Sequence, residues 1–399
     1  MKPFLFAAAL VVASPLVAAT PYGHWRVVLD HPGGGVPFGL EVTAGKAGPV
    51  AYIKNPPEKL RVESVSVDGE TITLAFPSYN SRLVLVRGAD DRLTGQADVK
   101  RSAGPVTLQA GGTRDSYRFT PKPAKPATDL TGKWLVQYQG AKPVSGLAQF
   151  KQVGNQVSGS VQLPSGDTRF LAGELAGNSL SLSTFDGSYS ALWKADLANG
   201  VLTGKQFAAT STGGTVWTAK RAGKAGIEAV TVEKSAGERL AFRFPTSDGK
   251  MISLADARYK GKVVVITLGG AWCPNCHDEA IFMGPYAAKR AREGLEVIGM
   301  QFEYGDDKVR AFKQIDSFKA RYKLPYPLIL AGQPTPESTK AALGVVGPVK
   351  VYPSTIFIGR DGRVREVHVG WAGPATGALN VKAKRDFDAT VTKLLKEKA

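Results

Sequence analysis

The feature that most restricts the fold of this chain is a pair of cysteines placed shortly after an apolar strand pattern. Residues Val263–Leu268 form a run of mostly β-branched side chains, which is typical of a strand buried on both faces of a sheet. Cys273 and Cys276 follow, and Pro274 between them suits a first helical turn because proline lacks the N–H that would go unused there. Residues from about 277 to 293 continue with helix-forming side chains. The pattern predicts a strand, a turn that carries two thiols, and a helix.

These two cysteines are the only ones in the chain. A scaffold held together by disulfides would have several spaced pairs, so the usage indicates one redox pair. At a helix N-terminus the free N–H groups and the helix dipole favour the thiolate of Cys273, which is the form that attacks a disulfide. Cys276, one turn along, could then resolve the mixed disulfide.

The region after residue 238 alternates predicted strands and helices, which indicates an α/β domain with a mixed sheet. Asp361-Gly362 predicts a hairpin turn near its end. The predicted strands are Val263–Leu268, Leu295–Met300, Tyr326–Leu330, Thr355–Ile358 and Val364–Val367, and a second helix is predicted over Lys308–Tyr322.

The segment Ala271–Cys276 resembles the active site of the TlpA/ResA-like exported thiol–disulfide oxidoreductases of the thioredoxin superfamily. The resemblance runs from about Phe242 to the C-terminus and includes Asp248–Leu254, Gly261–Val265, Gly294–Gly299, Tyr352–Ile358 and Asp361–Val364. It implies a thioredoxin-like fold over residues 238–399 and a protein-disulfide reductase activity. It also implies protein disulfides as substrates and a membrane thiol donor.

The resemblance also implies roles for residues around the cysteines. Pro353 matches the family's cis-proline, which faces the Cys pair, and Glu279 matches an acid that could exchange a proton with Cys276. Without the resemblance, Glu279 could equally be an ordinary first-turn helix acid. We expect Trp272, Pro274 and Tyr352 to contact the substrate.

Several positions depart from the family pattern, among them Tyr352, which is bulkier than usual before the proline and would alter substrate choice. Ile281 replaces the usual helix proline, and Gly284-Pro285 follows later, so we expect a break or kink there. Gly269-Gly270 stands where bulky aromatics are common, which would open the cleft near Cys273.

The region before residue 222 contains an internal repeat. Each copy begins with a tryptophan and alternates polar and apolar residues between turns, which predicts duplicated all-β modules, barrel- or sandwich-like, over residues 21–119 and 130–221. We expect Trp25 and Trp134 to be core residues. A Pro-rich linker (120–129) and an Ala/Gly/Lys-rich linker (222–237) separate the parts of this multidomain chain. The pairs that share one offset of 109 positions include Trp25 and Trp134, Val27 and Val136, Gly95 and Gly204, and Ala110 and Ala219.

The first 19 residues have the pattern of a signal peptide. Lys2 is followed by the apolar run Phe4–Val12 and by small residues at Val17–Ala19. We therefore expect an exported, periplasmic protein with no transmembrane segment in the mature chain. The formal charge of +17 is scattered along the chain, so we expect no nucleic-acid binding.

Other functions remain open from the residues alone. Cys273, Cys276 and His277 fit the attachment pattern of a c-type haem, with His277 as axial ligand; otherwise His277 could tune the Cys273 thiolate. A peroxiredoxin-related peroxidase is another alternative. A third is a non-enzymatic protein whose β modules bind an unknown ligand. We expect no metal and no other cofactor, because there is no second Cys pair and no dinucleotide-binding glycine pattern.

Overall fold

The computed structural model describes residues 20–398, except 102–103, 141–142, 211, 225, 228–229 and 235–236. The expected signal peptide, residues 1–19, lies outside the described residues. Two β modules and an α/β domain follow one another along the described chain.

The first module, within the described part of residues 20–119, has the strands β1 (Gly23–His31), β2 (Gly34–Gly45), β3 (Gly48–Asn55), β4 (Glu58–Arg61), β5 (Ser64–Asp68), β6 (Thr71–Phe76), β7 (Ser81–Arg87), β8 (Leu93–Arg101) and β9 (Gly104–Thr113). They form one curved antiparallel sheet in the order β4-β3-β2-β1-β9-β8-β7-β6-β5. Val62, between β4 and β5, packs into the core, and these two strands pair with different neighbours, β3 and β6.

The second module is a closed antiparallel barrel. Its strands are β10 (Gly132–Tyr138), β11 (Val144–Val153), β12 (Gln156–Leu163), β13 (Gly166–Asp167), β14 (Leu171–Ala176), β15 (Ser179–Phe185), β16 (Ser190–Ala198), β17 (Val201–Ala208) and β18 (Thr215–Arg221). They follow the order β11-β10-β18-β17-β16-β15-β14-β12, and β12 pairs again with β11 to close the barrel. The short β13 extends the end of β12 as a hairpin.

Trp25 and Trp134 occupy similar positions in the two modules. Both are buried, which confirms their prediction as core residues. The Nε1 of Trp25 donates to the carbonyl of Pro21 at 2.9 Å, and that of Trp134 donates to the carbonyl of Leu130 at 2.8 Å. The modules also pack against each other, since Phe185 of the barrel enters the core of the first module.

The elements of the α/β domain are β19 (Thr231–Lys234), β20 (Phe244–Pro245), β21 (Met251–Ile252), β22 (Val263–Gly269), α1 (Pro274–Arg290), β23 (Leu295–Phe302), α2 (Lys308–Tyr322), β24 (Leu328–Gly332), α3 (Pro336–Leu343), β25 (Ser354–Ile358), β26 (Val364–Val369) and α4 (Ala378–Leu395), with short 3₁₀ segments at Ala257–Tyr259, Ala291–Glu293, Gly344–Val346 and Pro374–Thr376. Six of the strands form a sheet in the order β19-β26-β25-β22-β23-β24, in which β22, β23 and β24 are parallel. Helices α1, α2 and α4 pack on one face of this sheet and α3 on the other.

Two details of this domain differ from expectation. Part of the segment 222–237, expected to be a linker only, is the edge strand β19, whose backbone pairs antiparallel with β26. Helix α1 also continues through Pro285 without the expected break. Among the described residues, no helix is long and apolar enough to cross a membrane.

Candidate functional site

The two cysteines lie where the sequence predicts them, between β22 and α1. Cys273 is the N-cap of α1, and its Sγ accepts a hydrogen bond from the backbone N–H of Cys276 at 3.2 Å. The two residues form a disulfide. Cys273 is 3% exposed and Cys276 is 4% exposed. An N–H group that points at Sγ stabilises a thiolate once the disulfide is reduced.

Aromatic side chains flank Cys273 on one side. The indole Nε1 of Trp272 donates to the carbonyl of Phe302 at 2.8 Å, which fixes the ring. Its centroid lies 5.4 Å from that of Tyr352 and 4.8 Å from that of Tyr304. Tyr352 precedes Pro353, and the peptide bond between them is cis. The structure thus brings the predicted residues Trp272, Tyr352 and Pro353 together. Sequence reasoning missed Tyr304, although it follows β23 at the sheet edge where β22 also ends.

Glu279 lies beneath the disulfide in the protein interior. It is buried and lines the same small cavity as Cys276. Its Oε1 accepts a hydrogen bond from Thr355 Oγ1 at 2.8 Å. Burial raises the pKa of Glu279 to about 8, even though the Thr355 hydrogen bond opposes the shift. A carboxyl of this kind is largely protonated at neutral pH, unlike a helix acid that faces solvent.

His277 is enclosed by other side chains. Its Nε2 lies 2.7 Å from the carbonyl of Ala271 and must donate to it, so Nδ1 accepts from the hydroxyl of Tyr322, also at 2.7 Å. Tyr79 of the first β module stacks on the ring at 3.9 Å. Burial, reinforced by Arg321, holds the pKa of His277 well below its usual value.

This environment bears on both sequence interpretations of His277. Both ring nitrogens are engaged in hydrogen bonds, so neither can bind a haem iron in this arrangement. Burial lowers the pKa of His277 and favours a neutral ring, which would bring no positive charge to Cys273, so its tuning of the Cys273 thiolate stays a prediction.

The barrel contacts the turn between the cysteines. We name residues 164–169, which contain β13, the barrel tip. The side-chain amide of Asn275 pairs with the backbone of Asp167, donating to its carbonyl at 3.3 Å and accepting from its N–H at 3.2 Å. Gly166 has a φ of +132° and lies so close to Asn275 that a Cβ there would collide with the amide.

Arg169 connects all three parts of the molecule. Its Nη1 donates to the carbonyl of Pro274 at 3.2 Å and lies 2.9 Å from Oδ1 of Asp278. Its Nη2 contacts Glu58 of the first module at 3.1 Å, and its Nε lies 3.5 Å from Asp186 of the barrel. The side chain is 6% exposed. Burial alone would lower the pKa of Arg169, but the surrounding carboxylates raise it, so the guanidinium stays charged.

Asp167 and Asp278 face each other beside Gly373. Oδ2 of Asp167 accepts the N–H of Gly373 at 2.6 Å. Burial raises the pKa of both carboxyls, that of Asp278 to about 7, while Arg169 opposes the shift. Sequence reasoning missed Asp167, Arg169 and Asp278, because nothing in their local pattern shows that the barrel meets the active-site helix.

In a comparison with known proteins, residues 237–367 match the family model described as AhpC/TSA family. Thioredoxin-like protein YneN of Bacillus subtilis (strain 168) is 27% identical over 129 residues, which cover 32% of this chain and 68% of that one. Thiol-disulfide oxidoreductase ResA of Bacillus anthracis is 28% identical over 123 residues, 31% of this chain and 62% of that one. Thiol:disulfide interchange protein DsbE of Pseudomonas aeruginosa is 28% identical over 130 residues, which cover 33% of this chain and 63% of DsbE.

The chain therefore spans less than two thirds of the length of ResA and DsbE and slightly more than two thirds of the length of YneN. Among solved structures, a thiol:disulfide interchange protein from Chlorobium tepidum TLS is 24% identical, with a TM-score of 0.32, over 41% of this chain and 99% of that one. A DsbF homologue from Corynebacterium diphtheriae is 22% identical, with a TM-score of 0.32, and the match covers 41% of this chain and 93% of the homologue. All these matches are partial. The C-terminal domain of the chain thus matches the AhpC/TSA family model and is similar to the thiol–disulfide oxidoreductases ResA and DsbE.

Proposed function

We propose that this protein is a thiol–disulfide oxidoreductase of the cell envelope that reduces disulfides in partner proteins. The observation that carries the proposal is the arrangement of Cys273 and Cys276. The Sγ of Cys273 accepts an N–H at the start of α1, and Cys276 lies one turn deeper beside the buried Glu279. The resemblance to thiol–disulfide oxidoreductases supports the same chemistry.

In the reduced protein, the Cys273 thiolate attacks one sulfur of a partner disulfide. This forms a mixed disulfide and releases the other partner sulfur as a thiolate, which takes up a proton from solvent. Cys276 passes its proton to the ionised Glu279, and its thiolate attacks Cys273 Sγ. The second partner sulfur leaves as a thiolate that takes up the proton held by Glu279, and the Cys273–Cys276 disulfide remains. Two electrons have moved from this protein to the partner.

A protein that gives two electrons to its partner in each cycle needs a source of electrons. We propose a membrane thiol donor that reduces the disulfide again after each cycle. Residues 1–19, as a signal peptide, would export the chain to the periplasm, where such a donor and the protein substrates meet. Trp272, Pro274 and Tyr352 would contact the substrate chain, and Pro353 would hold the Tyr352 backbone beside it.

We further propose that the two β modules are copies of one unit that recognise a partner or ligand. The similar hydrogen bonds of Trp25 and Trp134 support a common origin. An arginine also lies over each indole, Arg114 at 3.4 Å from the centroid of Trp25 and Arg221 at 4.5 Å from that of Trp134. Removal of residues 21–221 is not a clean test of their role, since it would expose His277 and Asp278, which they cover.

The test is the reduction potential of the Cys273–Cys276 pair, measured in the purified full chain by equilibration in thiol buffers and trapping of free thiols. A reversible two-electron couple at or below about −200 mV supports a reductase, and a potential near −120 mV indicates a disulfide donor instead. Absence of an intramolecular disulfide, or turnover of hydrogen peroxide that exceeds turnover of disulfides, would contradict the proposal.

A further inference from the structure

The barrel tip, residues 164–169, lies against two of the three segments that surround the disulfide. We propose that it is a specificity-determining wall of the substrate groove, which admits extended, flexible disulfide segments and excludes disulfides on folded proteins. This inference rests on the proposed function and concerns the substrates of the same site.

The first covered segment is the turn between the cysteines. The Asn275 side chain pairs with both backbone polar groups of Asp167, as an extra strand would pair with a peptide group. The carbonyl of Pro274 is bound by Arg169. A substrate chain therefore cannot use these groups while the tip is in place.

The second covered segment is the loop 370–373. It borders the cis-proline, because the N–H of Gly370 donates to the carbonyl of Pro353 at 3.0 Å. At its other end, Gly373 donates to Asp167. Trp371 and Ala372 between them are buried. The barrel tip thus occupies the side of the groove beyond Pro353.

The third segment stays accessible. Trp272, Tyr304 and Tyr352 are each partly exposed, and the ring of Trp272 contacts the other two to form an aromatic rim next to Cys273. With Cys273 only 3% exposed, a partner sulfur must reach it from this rim. An extended segment can lay its backbone along the rim, whereas a folded protein carries additional surface that would collide with the barrel.

The tip is held firmly in this position. Oδ1 of Asp167 accepts the N–H of Arg169 at 2.6 Å, which closes the tip on itself. Arg169 then joins the tip to Asp278 of α1 and to Glu58 of the first module. Because both other domains hold it, the wall is a fixed part of the groove.

The test replaces Gly166 by alanine. The new Cβ would collide with the Asn275 amide, and alanine strongly disfavours a φ of +132°, so the contact between the tip and the cysteine turn must be disrupted. Gly177→Ala is the matched control, since Gly177 has a φ of +58° in a turn of the same barrel with no neighbouring atom within 4 Å. Both variants keep the amino-acid sequence of the cysteine turn unchanged.

The readout is the ratio of kcat/KM for insulin, a folded disulfide protein, to kcat/KM for oxidised glutathione. We expect Gly166→Ala to raise this ratio by about tenfold and Gly177→Ala to leave it unchanged. An unchanged ratio in a folded Gly166→Ala protein would overturn the inference. If the wild type reduces neither compound, the proposed function fails instead.

Asn275→Ala provides a second route if Gly166→Ala does not fold. It removes the amide that pairs with Asp167 and leaves the barrel sequence intact. A smaller rise in the ratio is expected, because Arg169 and the Asp167–Gly373 hydrogen bond still hold the tip. The reduction potential of Asn275→Ala is measured as a control, because residue 275 lies between the two cysteines. A changed potential would alter the reduction rates of insulin and of glutathione together. A weakened wall would alter the ratio of the two kcat/KM values. No rise in the ratio here would also overturn the inference.

Discussion

Arg169 of the barrel tip and Asp278 of helix α1 form a buried ion pair, with 2.9 Å between Nη1 and Oδ1. The pair joins the β barrel directly to the helix that begins with the cysteine turn. A buried guanidinium is tolerated here because Glu58 and Asp186 add further negative charge around it. The stability of the whole molecule and the geometry of the redox site are therefore connected at this point.

Arg169→Met should strongly destabilise the protein. It leaves Asp278 and Glu58 buried without their cation, and breaking one partner of a buried pair costs about 3–5 kcal/mol. The loss should be largest near pH 8 and smaller near pH 5, because both carboxyls have a raised pKa and become neutral as the pH falls. Urea unfolding of the oxidised variant and wild type at both pH values measures this loss in the free energy of unfolding.

The matched control is Arg82→Met. Arg82 pairs with Asp98 at 3.0 Å, but its side chain is 62% exposed. Pairs of this kind contribute less than about 1 kcal/mol. Equal losses for the two variants would mean that Arg169 does not neutralise a buried cluster.

Cys276→Ser should trap the first step of the proposed reaction. Cys273 can still attack a disulfide, but no second thiol resolves the product, so a mixed disulfide with a peptide should accumulate. Cys273→Ser should form none, because Cys276 lies within helix α1 and lines the internal cavity that also contains Glu279. Mass spectrometry after incubation with a disulfide peptide distinguishes the variants. Faster trapping by Cys273→Ser would reverse the assigned roles.

Glu279→Gln should slow resolution of the mixed disulfide. In the wild type, the rate of this step should rise as the pH increases through about 8, where Glu279 ionises and becomes able to accept the Cys276 proton. The variant lacks this acceptor, and we expect its rate near pH 8 to be about 10- to 100-fold lower. Stopped-flow measurement from pH 6 to 10 compares the two profiles; identical profiles would remove Glu279 from the mechanism.

The same substitution should change how stability depends on pH. The pKa of Glu279 is raised from 4.5 to about 8 in the folded protein, so the folded state binds more protons between these values. The free energy of unfolding therefore falls as the pH rises through this window. Glu279→Gln should remove this contribution, which we expect to be on the order of a few kcal/mol between pH 5 and pH 9. Urea unfolding of both oxidised proteins at these pH values tests it.

His277→Phe should leave the reduction potential unchanged while lowering stability. The neutral ring carries no charge toward Cys273, but its loss leaves the carbonyl of Ala271 and the hydroxyl of Tyr322 without partners. Each lost partner costs about 1–3 kcal/mol. In the wild type, the NMR signal of the His277 ring should not titrate between pH 8 and 5, since burial lowers its pKa. A shifted potential in the variant would contradict this.

Much of the α/β domain could be predicted because its elements have strong local patterns. The β-branched run that begins at Val263 forms β22, and the amphipathic segment Lys308–Tyr322 is helix α2 with those bounds. The helices α3 and α4 were not predicted. The redox pair was also predictable, because a cysteine, a proline and a second cysteine after a strand encode the geometry locally.

The contacts between domains could not be predicted in this way. The positions of Asp167, Arg169 and Asp278 follow from how the barrel docks on α1, and docking leaves no periodicity in the sequence. His277 shows the same limit, since its neutral state depends on Tyr79 from a distant module. The segment around β19 has a linker composition, and only pairing with β26 makes it a strand.

Strand β19 has one further effect. Without it, the backbone of β26 would present unpaired N–H and C=O groups at the rim of the sheet, where a strand of another molecule could add. Residues Thr231–Lys234 occupy that rim with the protein's own chain. The connection to the barrel therefore also protects the sheet edge of the redox domain against edge-to-edge aggregation.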